Sequence, residues 1–246
     1  MKLYIYITIA IVVFANLSCA KNVEDYKAQT RHKDTTSSIE QKTNENKHNE
    51  KQTLARQYYS VEIIKELSHD TQAYTQGLVY HNGYLYESTG QYRKSSLRKI
   101  NPNTGEIIKT IKIPDNYFAE GLTIFDNKIY QLTWLKRTGF IYDLETLKQV
   151  GSFSYYGEGW GLTNDDRHLI LSDGSNIIRY LDPSNFEVVK TLTVLNENSL
   201  PLRNLNELEY VAGYIWANVY MENHIVQLDP NTGRVISKID LTELRH

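Results

Sequence analysis

Glu120-Gly121-Leu122 is one of four places where a polar or aromatic residue stands immediately before Gly-Leu or its equivalent, the others being Gln76-Gly77-Leu78, Trp160-Gly161-Leu162 and Asn206-Glu207-Leu208. The intervals are 44, 40 and 46 residues, the period of a repeat built from about four short strands. Such a period specifies an all-β chain folded as a β-propeller, in which the repeated position points at a shared central axis. Here that position carries Gln, Glu, Trp and Asn instead of four copies of one residue, and such a ring has the character of a site.

Each repeat supplies its own strands and turns. In the first, Gly77 to His81 reads as a strand, Asn82-Gly83 as a tight hairpin turn, Tyr84 to Ser88 as the returning strand, and Leu97 to Ile100 as a third. Asn101-Pro102-Asn103-Thr104-Gly105 then turns into a fourth strand, and its counterparts are Asp143-Leu144-Glu145-Thr146, Asp182-Pro183-Ser184-Asn185 and Asp229-Pro230-Asn231-Thr232-Gly233. The outermost-strand pattern occurs once more upstream, as Val61-Glu62-Ile63-Ile64-Lys65. Five outer strands therefore face four inner units. The expectation is a propeller of the five-bladed type with four complete blades and an incomplete fifth, its ring open or distorted and its edges exposed.

Composition narrows the partners. The chain has 246 residues, 41% hydrophobic and 23% charged, enough for one ordinary core, and its formal charge of −2 gives no electrostatic case for nucleic acid. A single Cys rules out an internal disulfide framework and any zinc site needing two thiolates, and the seven His show no close ligand pair. Neither a metal nor a cofactor is expected.

That Cys ends an export signal. Lys2 supplies a minimal charged region, Leu3 to Phe14 an apolar one, and Asn16-Leu17-Ser18-Cys19 a relaxed lipobox. Residues 1–19 are therefore expected to be a signal segment with Cys19 lipid-anchored at a bacterial cell envelope, the alternative being cleavage after Ala20 and simple secretion. Residues 20–57 are rich in Lys, Glu, Asn, Gln, Thr and His and cannot bury enough apolar area to offset their ordering entropy, so they are expected to form a disordered tether. The propeller is expected over 58–246, and as a monomer at full length.

At the mouth of the channel, the residue before each Gly-Leu lies beside the end of the returning strand. Glu120 then neighbours Trp134, and Asn206 lies near Tyr220. Adding Tyr74, Gln76, Phe118 and Trp160 gives one carboxylate inside an aromatic cage with two amides. Taken singly, each has a plainer explanation: Glu120 as a solvated rim acid, Trp134 and Trp160 as core, Asn206 as a turn cap, Gln76 as a partner of neighbouring backbone. Glu158 is expected near the same mouth and exposed, and Lys136-Arg137 in a solvated loop.

The chain resembles the plant-type glutaminyl-peptide cyclotransferases, a family with bacterial members. The resemblance covers roughly Ser60 to Asp240. It rests on Tyr74-Thr75-Gln76-Gly77-Leu78, Phe118-Ala119-Glu120-Gly121-Leu122, Gln131-Leu132-Thr133-Trp134, Gly159-Trp160-Gly161-Leu162, Asn206-Glu207-Leu208-Glu209-Tyr210 and Trp216-Ala217-Asn218-Val219. It implies a five-bladed propeller that converts N-terminal glutamine of peptides to pyroglutamate with release of ammonia, its essential Glu matching Glu120. Tyr74 stands where the family usually has Phe, Tyr220 where it has Trp, and the family's C-terminal unit with its pocket Lys has no counterpart.

The residue types suit that reaction. The substrate's α-amine, with a free pKa near about 8, must be neutral to attack its own side-chain amide, and the departing nitrogen must gain a proton. Glu120 can do both in turn. An apolar wall of Trp134, Trp160 and Tyr220 would favour its protonated form, while Asn206 and Gln76 could donate hydrogen bonds to the developing oxyanion. Two other classes remain open: a non-catalytic exported propeller that binds peptides or envelope partners, and a calcium-dependent lactonase, for which one strong carboxylate at the mouth is too few.

Overall fold

The computed structural model of the protein describes residues 57–59, 61, 63 and 66–244. The expected signal segment with Cys19, and the tether up to residue 56, lie outside them.

The described residues form four antiparallel meanders. Blade 1 is β2 (Thr75–His81), β3 (Tyr84–Thr89), β4 (Ser96–Ile100) and β5 (Ile107–Lys112), and blade 2 is β6 (Ala119–Phe125), β7 (Lys128–Thr133), β8 (Thr138–Asp143) and β9 (Gln149–Ser154). Blade 3 is β10 (Leu162–Asn164), β11 (Leu169–Ser172), β12 (Ile177–Leu181) and β13 (Val188–Thr193). Blade 4 is β14 (Leu205–Val211), β15 (Tyr214–Val219), β16 (His224–Leu228) and β17 (Val235–Asp240), with β1 (Gln57–Tyr59) added as a fifth strand.

Local chemistry accounts for the repeat. The inner hairpins turn on residues with positive φ, Asn82 (48°) with Gly83 (85°), Asp126 (47°) with Asn127 (54°) and Ala212 (51°) with Gly213 (85°), the geometry that matches the twist of two paired strands. Between third and fourth strands, a side-chain oxygen of Asn101, Asp143, Asp182 or Asp229 accepts a backbone N–H two or three residues on, at 2.8–2.9 Å. Second strands such as β3 and β7 are buried on both faces, whereas the outermost β5 is almost wholly exposed. The sheets therefore stack face against face.

Three clusters fill the spaces between blades. Leu97, Tyr86, Leu122 and Ile129 join blades 1 and 2, Leu132, Phe153, Leu162 and Leu171 join blades 2 and 3, and Ile170, Ile178, Leu208 and Ala217 join blades 3 and 4. Polar ties repeat beside them: Gln131 Nε2 donates to Ser88 Oγ at 2.8 Å, Asn164 Nδ2 to Thr123 Oγ1 at 2.8 Å, and the Tyr210 backbone N–H to Thr163 Oγ1 at 3.1 Å.

The glycines of the repeat explain how closely the inner strands meet. A Cβ on Gly77 would lie 2.7 Å from the Leu122 nitrogen, one on Gly121 2.6 Å from the Leu162 nitrogen, and one on Gly161 2.0 Å from the Asn206 carbonyl oxygen. The backbone of each blade thus touches that of the next at the axis. Among the described residues β14 and β2 share no comparable packing; the four complete blades expected are present, and the leading strand expected to belong to an incomplete fifth is instead added to blade 4.

The leading outer strand also differs from its expected place. Of Val61 to Lys65, the described residues 61 and 63 lie outside any strand. The strand is Gln57–Tyr59, parallel to β17 with Tyr59 opposite Ile239. Apolar contact sets this position: the Tyr59 ring lies 5.8 Å from Trp216, and Val61 joins Ile225, Ile239 and Leu241 on the same face of blade 4. Beyond it the chain crosses to blade 1, where His69 Nε2 meets Glu87 Oε1 at 2.7 Å and Arg98 reaches Asp70 Oδ2 at 3.0 Å.

Gly161→Ala is expected to cost about 1–3 kcal/mol or more, because the new methyl meets backbone that cannot rotate away. A lowered urea midpoint with an unchanged slope would show it, and an unchanged midpoint would refute the backbone contact.

Candidate active site

The first strand of a blade does not begin regularly. Thr75 faces Thr89 but Gly77 faces Ser88, so Gln76 is an extra residue. Ala119 faces Thr133 and Leu122 faces Gln131, and Leu205 faces Val219 while Leu208 faces Ala217, so the same irregularity falls at Glu120-Gly121 and at Asn206-Glu207. A β-bulge re-aims the side chain it carries. In blade 3 the equivalent pair is Trp160-Gly161, held by Trp160 N–H to Ser172 O at 3.1 Å and Gly161 N–H to Ser172 Oγ at 2.8 Å.

These bulges open onto one cavity of about 380 Å³, lined by Tyr74, Gln76, Gln91, Phe118, Glu120, Trp134, Trp160, Asn206 and Tyr220. All eight residues singled out from the sequence for this mouth line it together. Gln91 is the ninth. It follows Gly90 with φ 90°, and its neighbourhood to Gln76 across the β2/β3 hairpin was the signal that could have found it.

The second strands contribute by a rule of their own. Three residues past the partner of each repeat leucine stand Gly90, Trp134, Gly174 and Tyr220. Two are glycine and two aromatic, and each glycine is roofed by a ring: a Cβ on Gly90 would lie 2.3 Å from Phe118 Cε1, and one on Gly174 2.6 Å from Trp160 Cζ2. The rings form two connected groups along one wall. Tyr74 meets Phe118 edge-on at 6.1 Å, Phe118 meets Trp134 at 5.8 Å, and Trp160 meets Tyr220 at 5.8 Å. Tyr220 is the most open of them, 38% exposed.

Glu120 sits in the base of this wall, 7% exposed. Burial, and secondarily the charge of Glu158, push its carboxyl well above the usual carboxylate range, and no hydrogen bond among the described residues offsets them. The carboxyl is therefore poised to hold a proton and release it. Nearby, Tyr155 braces the end of β7 by accepting the Thr133 N–H at 3.0 Å and donating to the Thr133 carbonyl, and burial first of all raises its hydroxyl to about 12.

Glu158 departs from its expected place in solvent. It is half-buried, and its Oε2 accepts the indole N–H of Trp134 at 2.6 Å and that of Trp160 at 2.9 Å. Gly159 N–H bonds the Trp134 carbonyl at 3.0 Å, drawing the Glu158 loop onto blade 2. Among the described residues, no group of three or more His, Cys, Asp or Glu could hold a metal ion.

A family model described as glutamine cyclotransferase matches residues 35–246. A glutaminyl-peptide cyclotransferase of Arabidopsis thaliana is 38% identical over 193 residues, which are 78% of this chain and 60% of the relative, so the chain spans less than two thirds of that protein's length. The crystal structure of Myxococcus xanthus glutaminyl cyclase superposes with a TM-score of 0.72 at 33% identity, covering 77% of this chain and 80% of that one.

Because Glu120 has a raised pKa when folded, its neutral form stabilises the fold below the ordinary Glu range, and that stability is lost as pH rises through the raised value. Glu120→Gln should therefore melt like the parent near about pH 4 and increasingly above it at higher pH. Melting temperatures across that range check this, and a difference that does not vary with pH would mean that Glu120 ionises as an ordinary surface acid.

Proposed function

The chain belongs to the glutamine cyclotransferase family, and from that premise we propose that it cyclises N-terminal glutamine of peptides to pyroglutamate with loss of ammonia. The observation that carries the reading is Glu120, buried with its ionisation pushed up, in a cavity that also holds three amide side chains and a wall of rings.

The α-amine of the bound glutamine attacks its own Cδ, forming the ring C–N bond and placing negative charge on the amide oxygen. In its ionised form Glu120 takes a proton from the attacking nitrogen and delivers it to the amide nitrogen; the oxyanion then collapses to the lactam carbonyl, the bond from Cδ to that nitrogen breaks, and ammonia leaves. Proton handling of this kind contributes roughly 10² to 10⁴-fold. Asn206, Gln76 and Gln91 are the donors available to the amide oxygen, each on a different strand end or loop around the cavity. The rings of Phe118, Trp134, Trp160 and Tyr220 press the aliphatic part of glutamine into a bent conformer, and that restriction is a large part of the rate because the attack is intramolecular.

The five-bladed reading belongs to this proposal. Leu208 and Tyr210 pack toward blade 3, so Glu207 and Glu209 lie on the other face of β14, where no sheet among the described residues stacks. Burial pushes both carboxyls up, and Glu207 Oε2 is buried with no partner among the described residues. A further inner-strand unit bearing a donor or cation would satisfy them and close the ring between blades 4 and 1. Export and a lipid anchor at Cys19 complete the reading, supported by the apolar segment and lipobox at the N terminus.

A peptide beginning with Gln should release ammonia and yield the pyroglutamyl product by mass spectrometry, and Glu120→Gln should lose at least about 10²-fold in turnover while keeping its circular dichroism spectrum. A fully active variant would sink the mechanism. Prior dialysis against a strong chelator should leave turnover unchanged, and loss that an added metal restores would point to the lactonase-like class instead.

A further inference from the structure

We propose that Glu158 is a positioning residue of this site, one carboxylate oxygen fixing the indole planes of Trp134 and Trp160, which come from two successive blades. The catalytic part of this inference rests on the cyclotransferase reading, whereas the positioning part rests on geometry alone.

The geometry is specific. An indole has a single donor, and here both donors in the wall converge on the same oxygen, at 2.6 and 2.9 Å. Hydrogen bonds to a charged acceptor are shorter than neutral ones and about twice as strong. The ring contacts of the two indoles are edge-on, Trp134 against Phe118 and Trp160 against Tyr220, while Trp160 also lies against Gly174. Glu158 therefore joins two separate aromatic pairs into one row, Phe118, Trp134, Trp160 and Tyr220, and stands at its middle.

Glu158 itself does not line the cavity. It acts through the rings it holds. The main chain keeps it in place, since the following residue bonds the Trp134 carbonyl and the preceding Gly157 takes φ 87° to turn the loop inward. Its charge also adds to burial in keeping a proton on Glu120. A neutral amide at position 158 would still offer one acceptor oxygen without the charge, and alanine would offer neither.

The test uses the full chain labelled with ¹⁵N-tryptophan. It contains three tryptophans, so three indole N–H resonances are expected, and Trp216, which contacts Tyr59 on blade 4, serves as the internal reference. In Glu158→Ala the Trp134 and Trp160 resonances should move upfield while that of Trp216 stays. Turnover of a Gln-leading peptide should fall roughly 10- to 100-fold, in kcat more than in KM, as expected when reacting groups are misplaced by a fraction of an ångström to about 1 Å. Glu158→Gln should lie between parent and alanine variant in both readouts, and it carries the test if the alanine variant does not fold. Unmoved Trp134 and Trp160 resonances, or parental kcat in a folded variant, would overturn the assignment. Absence of turnover in the parent chain would overturn the cyclotransferase reading alone and leave the indole readout to decide on Glu158.

Discussion

The arrangement depends on backbone meeting backbone at the axis. Gly77 lies against the start of the next blade's inner strand, Gly121 against that of the third, and Gly161 against the Asn206 carbonyl of the fourth. No side chain fits between them, so the blades converge at a fixed separation, and the apolar clusters behind, such as Leu122 with Leu97 and Leu208 with Ile170, fill wedges whose angle is already set. The same closeness fixes where function can reside. Residues immediately before the contact are thrown onto the mouth by a bulge, and they are the ones with room to differ from blade to blade.

From that constraint the electrostatics follow. Glu120 sits where two blades pinch together, nearly buried in a cavity that rings of its own blade and of its neighbours line, and its carboxyl is raised by burial first and by Glu158 second. Glu158 is only half-buried and accepts two indole donors. Two acids thus share one wall in different settings, one buried without a hydrogen bond among the described residues and the other tied to two indoles.

Much of this was legible in the sequence because the repeat advertises itself twice, once in period and once in turn chemistry. Asn82-Gly83 and the Asx turns at Asp143, Asp182 and Asp229 are local signals, and local signals survive without tertiary information. The gathering of Tyr74, Gln76, Phe118, Glu120, Trp134, Trp160, Asn206 and Tyr220 follows from the hairpin geometry once each inner strand is placed. What escaped was long-range. The run Val61-Glu62-Ile63-Ile64-Lys65 has strand composition, but the pairing with β17 falls earlier, where Tyr59 meets Trp216. Glu158, in a loop between glycines, reads as solvent-facing because nothing nearby in sequence announces two indole donors arriving from different blades. The bulges are equally silent, being a mismatch between strands instead of a property of either.

The roofed glycines carry an implication for how such a mouth can change. Phe118 occupies the space that Gly90 leaves open, and Trp160 the space that Gly174 leaves open. A larger residue at either glycine is tolerable only if its ring partner shrinks or departs, and a smaller ring leaves a void that only a larger residue opposite would fill. The effects of single changes at these positions are therefore strongly epistatic. Reshaping the site for another peptide end means moving between paired solutions, glycine with ring or bulk with space, with no gradual path through the intermediates.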